Sequence, residues 1–148
     1  RTLKGLEEGV IVPEKQPAVS PTPYASPLTK SDGLIDWSRS AVSIERLVRG
    51  LNPWPSTYTY LNRKQLKIWK TKAAEDGFFL SEARKPEAKA KKAEPGSIVS
   101  VGKDSFAVQT GEGVLLVLEL QLEGKKRMDT EAFLRGYPLQ EGIILGKV

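Results

Sequence analysis

The chain has 148 residues and a formal net charge of +5, from 23 Lys and Arg against 18 Asp and Glu, and it contains neither His nor Cys. Such a length suits one domain of roughly 100–150 residues plus an arm. The missing imidazoles and thiols exclude a disulfide framework, a Cys/His metal site, a thiol nucleophile and a histidine general base. No apolar run approaches the ~20 residues of a membrane helix. With an opening Arg1-Thr-Leu-Lys-Gly and no signal-peptide pattern, a fragment of a cytoplasmic protein is expected.

Residues 1–9 (RTLKGLEEG) read as the end of a helix, with Leu3 and Leu6 three apart and Gly9 as a stop. Val10 to Leu34 holds Pro13, Pro17, Pro21, Pro23 and Pro27. Proline fixes φ and donates no hydrogen bond, so this stretch is expected to be an extended interdomain linker, with a compact domain over residues 35–148. A helix follows over Ser40–Leu51. Ile44, Leu47, Val48 and Leu51 make one apolar stripe, Ser38 or Ser40 can cap its start, and Gly50 with Asn52-Pro53-Trp54-Pro55 ends it. Trp54, between two prolines, reads as a core plug, and helix capping and corner packing account for Arg49 and Asn52.

The pattern then turns to strands. Residues 57–61 and 65–70 flank a turn at Asn62-Arg63-Lys64, and residues 97–101 and 105–109 flank Gly102-Lys103-Asp104. Gly111-Glu112-Gly113 leads into a long strand over 114–122, apolar on both faces at first and then alternating Leu118, Leu120, Leu122 against Glu119 and Gln121. The stretch Ala83–Pro95 (ARKPEAKAKKAEP) lacks large apolar residues and is expected to be a mobile loop. A short last helix has Asp129 as its cap, Met128 stapling onto Phe133, and Gly136 as its end. Ile143–Leu145 can add a final strand. Short strands so closely spaced predict a mainly β chain, folded as a small, closed or nearly closed antiparallel barrel with one packed helix.

Little in the chain can do chemistry alone. Gly111 and Gly113 suit a hairpin turn better than a phosphate loop, and the serines have no imidazole to activate them. Charge is the better lead. Residues 36–95 hold thirteen basic and seven acidic side chains, a net +6. Lys67 and Trp69 fall on one face of a strand, Lys64 and Lys70 lie close by, and Lys125-Lys126-Arg127 cluster before the last helix. Taken singly these are ordinary solvated charges. Together Lys125, Lys126, Arg127, Lys67 and Lys70, with Arg63, Lys64 and Lys30 as lesser members, make a surface suited to track phosphates.

Six separated stretches resemble one family. They are Thr29-Lys-Ser-Asp-Gly-Leu-Ile-Asp-Trp-Ser38, Leu47-Val-Arg-Gly-Leu-Asn-Pro-Trp-Pro55, Leu66-Lys-Ile-Trp69, Pro95-Gly-Ser-Ile98, Thr110-Gly-Glu-Gly113 and Leu120-Gln-Leu-Glu-Gly-Lys-Lys-Arg-Met128. In order and spacing they are similar to the C-terminal half of methionyl-tRNA formyltransferases, from about Leu3 to Gly136 with a gap at the Lys-rich loop. The resemblance implies an OB-like barrel joined by an extended arm to an N-terminal Rossmann-like catalytic domain. The family enzyme transfers a formyl group from 10-formyltetrahydrofolate to methionyl initiator tRNA in translation initiation. Its catalytic Asn, His and Asp lie in the N-terminal domain. This His-free chain is therefore expected to be inactive alone, to hold tRNA, to pack against that domain of the same chain as a monomer, and to touch no membrane. At Tyr24-Ala-Ser-Pro27-Leu28 a basic position usual in the family's arm is lost. Sugar-nucleotide formyltransferases and the folate-formyl hydrolases share a similar C-terminal domain and match less well at Asn52–Pro55 and Gly124–Met128. In that alternative the domain is a structural accessory that binds no nucleic acid.

Overall fold

The computed structural model describes residues 2–20, 22, 24–74 and 93–146. All of the Lys-rich stretch Ala83–Pro95 except its last three residues lies outside them. A first helix, α1 (Thr2–Glu7), buries none of its residues, and Gly9 after it has φ 69°. Val10, Val12, Val19 and Tyr24 of the following stretch are exposed, and no regular element is found among its described residues before a 3-10 turn at Lys30–Gly33.

That turn fastens the end of the arm to the barrel. The Thr29 N–H and hydroxyl both donate to Asp32 Oδ2, at 2.6 and 2.9 Å, and these bonds hold the Asp32 carboxyl below its ordinary pKa. Gly33 is buried, and a Cβ there would lie 2.1 Å from the Ser56 carbonyl oxygen. Only glycine lets the two backbones approach so closely. Leu34 then bridges Tyr58 in parallel, and the Ile35 N–H donates to Tyr58 O at 2.9 Å.

Helix α2 (Ala41–Gly50) has Ser40 as its N-cap, whose hydroxyl accepts from the Ser43 N–H, and Leu51 as its C-cap. Ala41, Ile44 and Val48 are buried and Leu47 is half-buried, which is the expected stripe. Five strands follow: β1 (Thr57–Leu61), β2 (Lys64–Ala73), β3 (Ile98–Val101), β4 (Phe106–Gln109) and β5 (Val114–Leu122). They pair antiparallel in the order β1-β2-β5-β4-β3. Leu61 faces Lys64 across a two-residue turn in which Asn62 and Arg63 both take positive φ, 49° and 66°, as a turn that follows the strand twist requires. Met128–Asp129 (β6) adds a short pair to β5, and α3 (Thr130–Gly136) leads on to the tail.

The tail closes the sheet. Ile98 N–H donates to Ile143 O, Leu145 N–H to Gly96 O, and Gly146 N–H to Tyr60 O, each at 2.8 Å, so one segment joins the β3 and β1 edges. The small antiparallel barrel with a packed helix is thus present, although the tail makes one isolated bridge, Ser97 to Ile144, rather than a full strand. Inside, Leu61, Leu66, Ile68, Ile98, Phe106, Val108, Leu115, Val117 and Leu120 are at most 1% exposed, in one cluster with Ile44 of α2 and Phe133 of α3. Each such side chain contributes about 1.5–3 kcal/mol on burial. Three buried threonine hydroxyls are paired: Thr57 and Thr130 donate to Ile68 O and Val117 O, and Thr59 accepts from Trp37 Nε1 at 3.1 Å. Among the described residues no helix is long and apolar enough to cross a membrane.

Two local expectations need correction. Asp129 occupies the N-cap position of α3 with the extended backbone of an N-cap, but its side chain makes no capping bond; its backbone pairs with β5 opposite Glu119. Leu118 does not join the alternation of Leu120 and Leu122. The β2–β5 register runs Ile68↔Leu120, Lys70↔Glu119, Thr71↔Val117, which leaves Trp69 and Leu118 without partners. An irregularity of this kind bends the ladder and re-aims side chains, and Leu118 is only half-buried.

Candidate nucleic-acid interface

The irregularity in β2 builds the first of two clefts. On a regular strand successive side chains alternate faces. Here Trp69, Lys70 and Thr71 all line one cleft of about 330 Å³, together with Glu45, Val48, Arg49 and Asn52 of the α2 end, Glu119 of β5, and Arg127. Both of its arginines are paired with carboxylates within it. Arg127 donates through Nε and Nη2 to the two carboxylate oxygens of Glu119 at 2.5 and 2.7 Å, and its guanidinium lies 4.6 Å from the Trp69 ring centroid. The hydrogen bonds from Arg127 hold the Glu119 carboxyl below its ordinary range, and those to Glu119 raise Arg127 further. Arg49 pairs with Glu45 one turn earlier at 3.6 Å. The Asn52 side-chain amide reaches Trp69 O at 3.5 Å, so it ties the corner to β2 rather than capping the helix. Trp69 Nε1 and Thr71 Oγ1 are buried with no hydrogen-bond partner among the described residues.

The second cleft, about 280 Å³, is lined by Lys30, Trp54, Pro55, Ser56, Tyr58, Gln65 and Lys67. Trp54 is 59% exposed. It is not the core plug expected of it. Leu51 at the helix end and Trp37, 6% exposed with its indole bonded to Thr59, are buried instead. The peptide bonds Asn52–Pro53 and Trp54–Pro55 are both cis, and the corner they enclose contributes Asn52 to the first cleft and Trp54 with Pro55 to the second. Among the described residues no carboxylate lines the second cleft, and no ion pair is found at Lys30 or Lys67. Lys67 links the two clefts, its ammonium lying 5.8 Å from the Trp69 ring centroid.

The eight basic residues singled out by sequence therefore divide. Arg127 and Lys70 line the first cleft, and Lys30 and Lys67 the second. Lys125 and Lys126 are exposed on the turn after β5, where the Lys125 N–H donates to Leu122 O. Arg63 and Lys64 are exposed on the β1–β2 hairpin. The two turns adjoin, since Gln65 and Glu123 exchange bonds through Gln65 N–H to Glu123 Oε2 and Glu123 N–H to Gln65 O. Sequence reasoning passed over Glu119, Tyr58 and Gln65. Glu119 was visible only as a polar position on an alternating strand, and its pairing with Arg127 eight residues on depends on how β5 and β6 fold together.

A model of the C-terminal domain of formyl transferases matches residues 27–138. The chain belongs to the formyl transferase C-terminal domain family. This C-terminal domain is 48% identical over 147 residues to the methionyl-tRNA formyltransferase of Lachnospira eligens, covering 99% of this chain and 44% of that protein. It is 45% identical to the methionyl-tRNA formyltransferase of Agathobacter rectalis, covering 95% of this chain and 41% of that protein. The chain thus spans less than half the length of these curated relatives. In structure, the domain resembles HypX from Aquifex aeolicus in a multiply substituted variant, with a TM-score of 0.58 at 13% identity over 95% of this chain and 23% of that one. It also resembles HypX in complex with tetrahydrofolic acid, with a TM-score of 0.56 at 12% identity over 99% of this chain and 25% of that one. Identity so low speaks for a shared fold alone.

Proposed function

We propose that this formyl transferase C-terminal domain is the tRNA-holding part of a methionyl-tRNA formyltransferase. The observation that carries it is the 48% identity, over nearly the whole chain, to a protein of that name. The full-length enzyme moves a formyl group from 10-formyltetrahydrofolate to the amine of methionyl initiator tRNA. Its catalytic groups and folate site belong to the N-terminal Rossmann-like domain, to which residues 1–34 connect. The 148 residues here contain no His, and the carboxylates of the larger cleft, Glu45 and Glu119, are both engaged by arginines. The domain's part is positional: it fixes tRNA by its backbone so that the acceptor end meets the catalytic domain.

The exposed cations act in order of availability. Lys125, Lys126, Lys64 and Arg63 form one group on adjoining turns and Lys67 and Lys30 a second, while Arg127 and Lys70 sit beside Glu119. Filter binding of initiator tRNA across a salt series tests this. The chain binds in the range of about 10⁻⁴ to 10⁻⁶ M, and log Kd depends linearly on log salt. Replacing Lys125, Lys126 and Arg127 together with Ala weakens binding and flattens the slope by about 0.7–0.9 for each phosphate no longer neutralised. A folded triple variant with unchanged affinity and slope removes these three from the interface, and a chain that binds no tRNA leaves the accessory role of a related formyltransferase domain. As the sole protein, the chain formylates no methionyl-tRNA.

A further inference from the structure

Resting on the tRNA-holding function proposed above, we infer that the second cleft takes one unpaired nucleotide, its base stacked on Trp54 and its flanking phosphates met by Lys30 and Lys67. Three observations converge. First, Trp54 leaves 59% of its surface in water although Pro55 beside it is partly buried. An indole projecting from a proline-bounded corner is a large apolar face held in a fixed place, and here it lines a cleft beside Tyr58, Lys30 and Lys67 rather than standing alone. Secondly, the charges around it are of one sign. Lys30 and Lys67 line the cleft with no carboxylate among its walls, whereas both arginines of the neighbouring cleft are neutralised on the spot by Glu45 and Glu119. An apolar docking partner gains nothing from two ammonium groups that have no ion pair among the described residues, and a phosphodiester gains a contact from each. Thirdly, the remaining walls suit a base edge: Tyr58 presents a half-buried ring, packed edge-on to Tyr60 with centroids 6.0 Å apart, and Gln65 offers an amide that can donate or accept.

An aromatic platform with flanking cations is how proteins hold single-stranded nucleic acid, because every base has a face to stack and every nucleotide a phosphate to pair. A base inside a helix is stacked on both sides and cannot use Trp54. The cleft therefore selects a nucleotide that is unpaired in the bound RNA. The backbone holds Lys30 at the cleft wall, since the Thr29–Asp32 bonds close its turn and Gly33 seats that turn against Ser56.

The test uses the full 148-residue chain and three fluorescein-labelled probes: a single-stranded oligoadenylate, an oligonucleotide of equal length with abasic sites, and a fully paired RNA duplex. Trp54→Ala is expected to weaken oligoadenylate binding roughly 5- to 100-fold, the range for loss of one stacked base, and Trp54→Phe to keep most of the affinity. The abasic probe and the duplex should bind the Trp54→Ala variant as they bind the parent chain. Oligoadenylate should quench the parent's tryptophan fluorescence and spare that of Trp54→Phe. The inference is overturned if the parent chain does not bind oligoadenylate, if it binds oligoadenylate and the abasic probe equally, or if Trp54→Ala leaves oligoadenylate affinity unchanged, an outcome that would assign the exposed indole to a protein surface instead. Strongly salt-dependent tRNA binding that disappears with Lys125, Lys126 and Arg127 but is indifferent to Trp54 would leave the tRNA-holding function standing and remove only the stacked base.

Discussion

The two clefts share a corner and a strand, and differ in how their charges are used. The first contains more cations, Arg49, Lys70 and Arg127, yet its two carboxylates hold both guanidiniums and a tryptophan covers one of them. Among the described residues the second has the cations Lys30 and Lys67 and no carboxylate in its walls. A count of basic residues ranks the first as the better anion site; the hydrogen bonds reverse that order. In the first cleft a polyanion has to displace an existing partner, and in the second it displaces only water and counterions.

The largest perturbation removes what both clefts stand on. Ile68 is 1% exposed beneath Lys67 and Trp69 on β2, and Ile68→Ala should cost about 2–5 kcal/mol in denaturant unfolding, loosening both clefts together. Gly33→Ala separates them. The added methyl meets the Ser56 carbonyl, so the Lys30 turn must lift, at about 1–3 kcal/mol in stability, and RNA binding at the Trp54 cleft should fall while the Arg127–Glu119 pair is unaffected. Glu119→Gln should make the first cleft behave like the second. Arg127 is freed, and the salt slope for tRNA should steepen by up to about 0.9. Because Arg127 is partly exposed, the stability cost at neutral pH should stay within about 0.2–1 kcal/mol. Its pH dependence has a definite sign. A carboxylate depressed in the folded state stabilises above its unfolded pKa and loses that contribution as pH falls through the lowered folded value. The difference between parent and Glu119→Gln in thermal melts should therefore be constant near neutrality and vanish only on the acid side of the ordinary value of 4.5. The smallest effect belongs to Arg49→Ala, about 0.3–0.5 kcal/mol for a helical pair one turn apart, with no change at the Trp54 cleft.

Local rules made much of this legible. The α2 stripe, its Ser40 cap, both hairpin turns and the β5 run are properties of short windows, and they fall where spacing put them. Trp54 shows where such rules stop. Two flanking prolines announce a corner, but which side of the corner faces the core is set by the packing of the whole domain, in which Leu51 and Trp37 are buried and Trp54 is not. The first cleft was hidden for a similar reason. Alternation places Lys67 and Trp69 on one face, but the shift that brings Lys70 and Thr71 beside Trp69 arises from pairing with β5, about fifty residues away. The chemistry of the predicted basic cluster was half visible: Lys125 and Lys126 are as open as their sequence implied, while Arg127 has a partner that only the fold supplies.

The tail from Gly142 to Gly146 has one further consequence, for the order of events in synthesis. It is the last described segment to leave the ribosome, and among the described residues it alone bonds the β1 edge to the β3 side of the sheet. Until it emerges, the β3 edge and the part of β1 beyond the Leu34–Tyr58 bridge present backbone groups that the tail would otherwise pair, templates on which nascent chains pair with one another. Chains that stop before Gly142 lose Leu145 from the core and Ile143 from its edge together with the bonds that close the sheet, so they should be less stable and also self-associate in proportion to concentration.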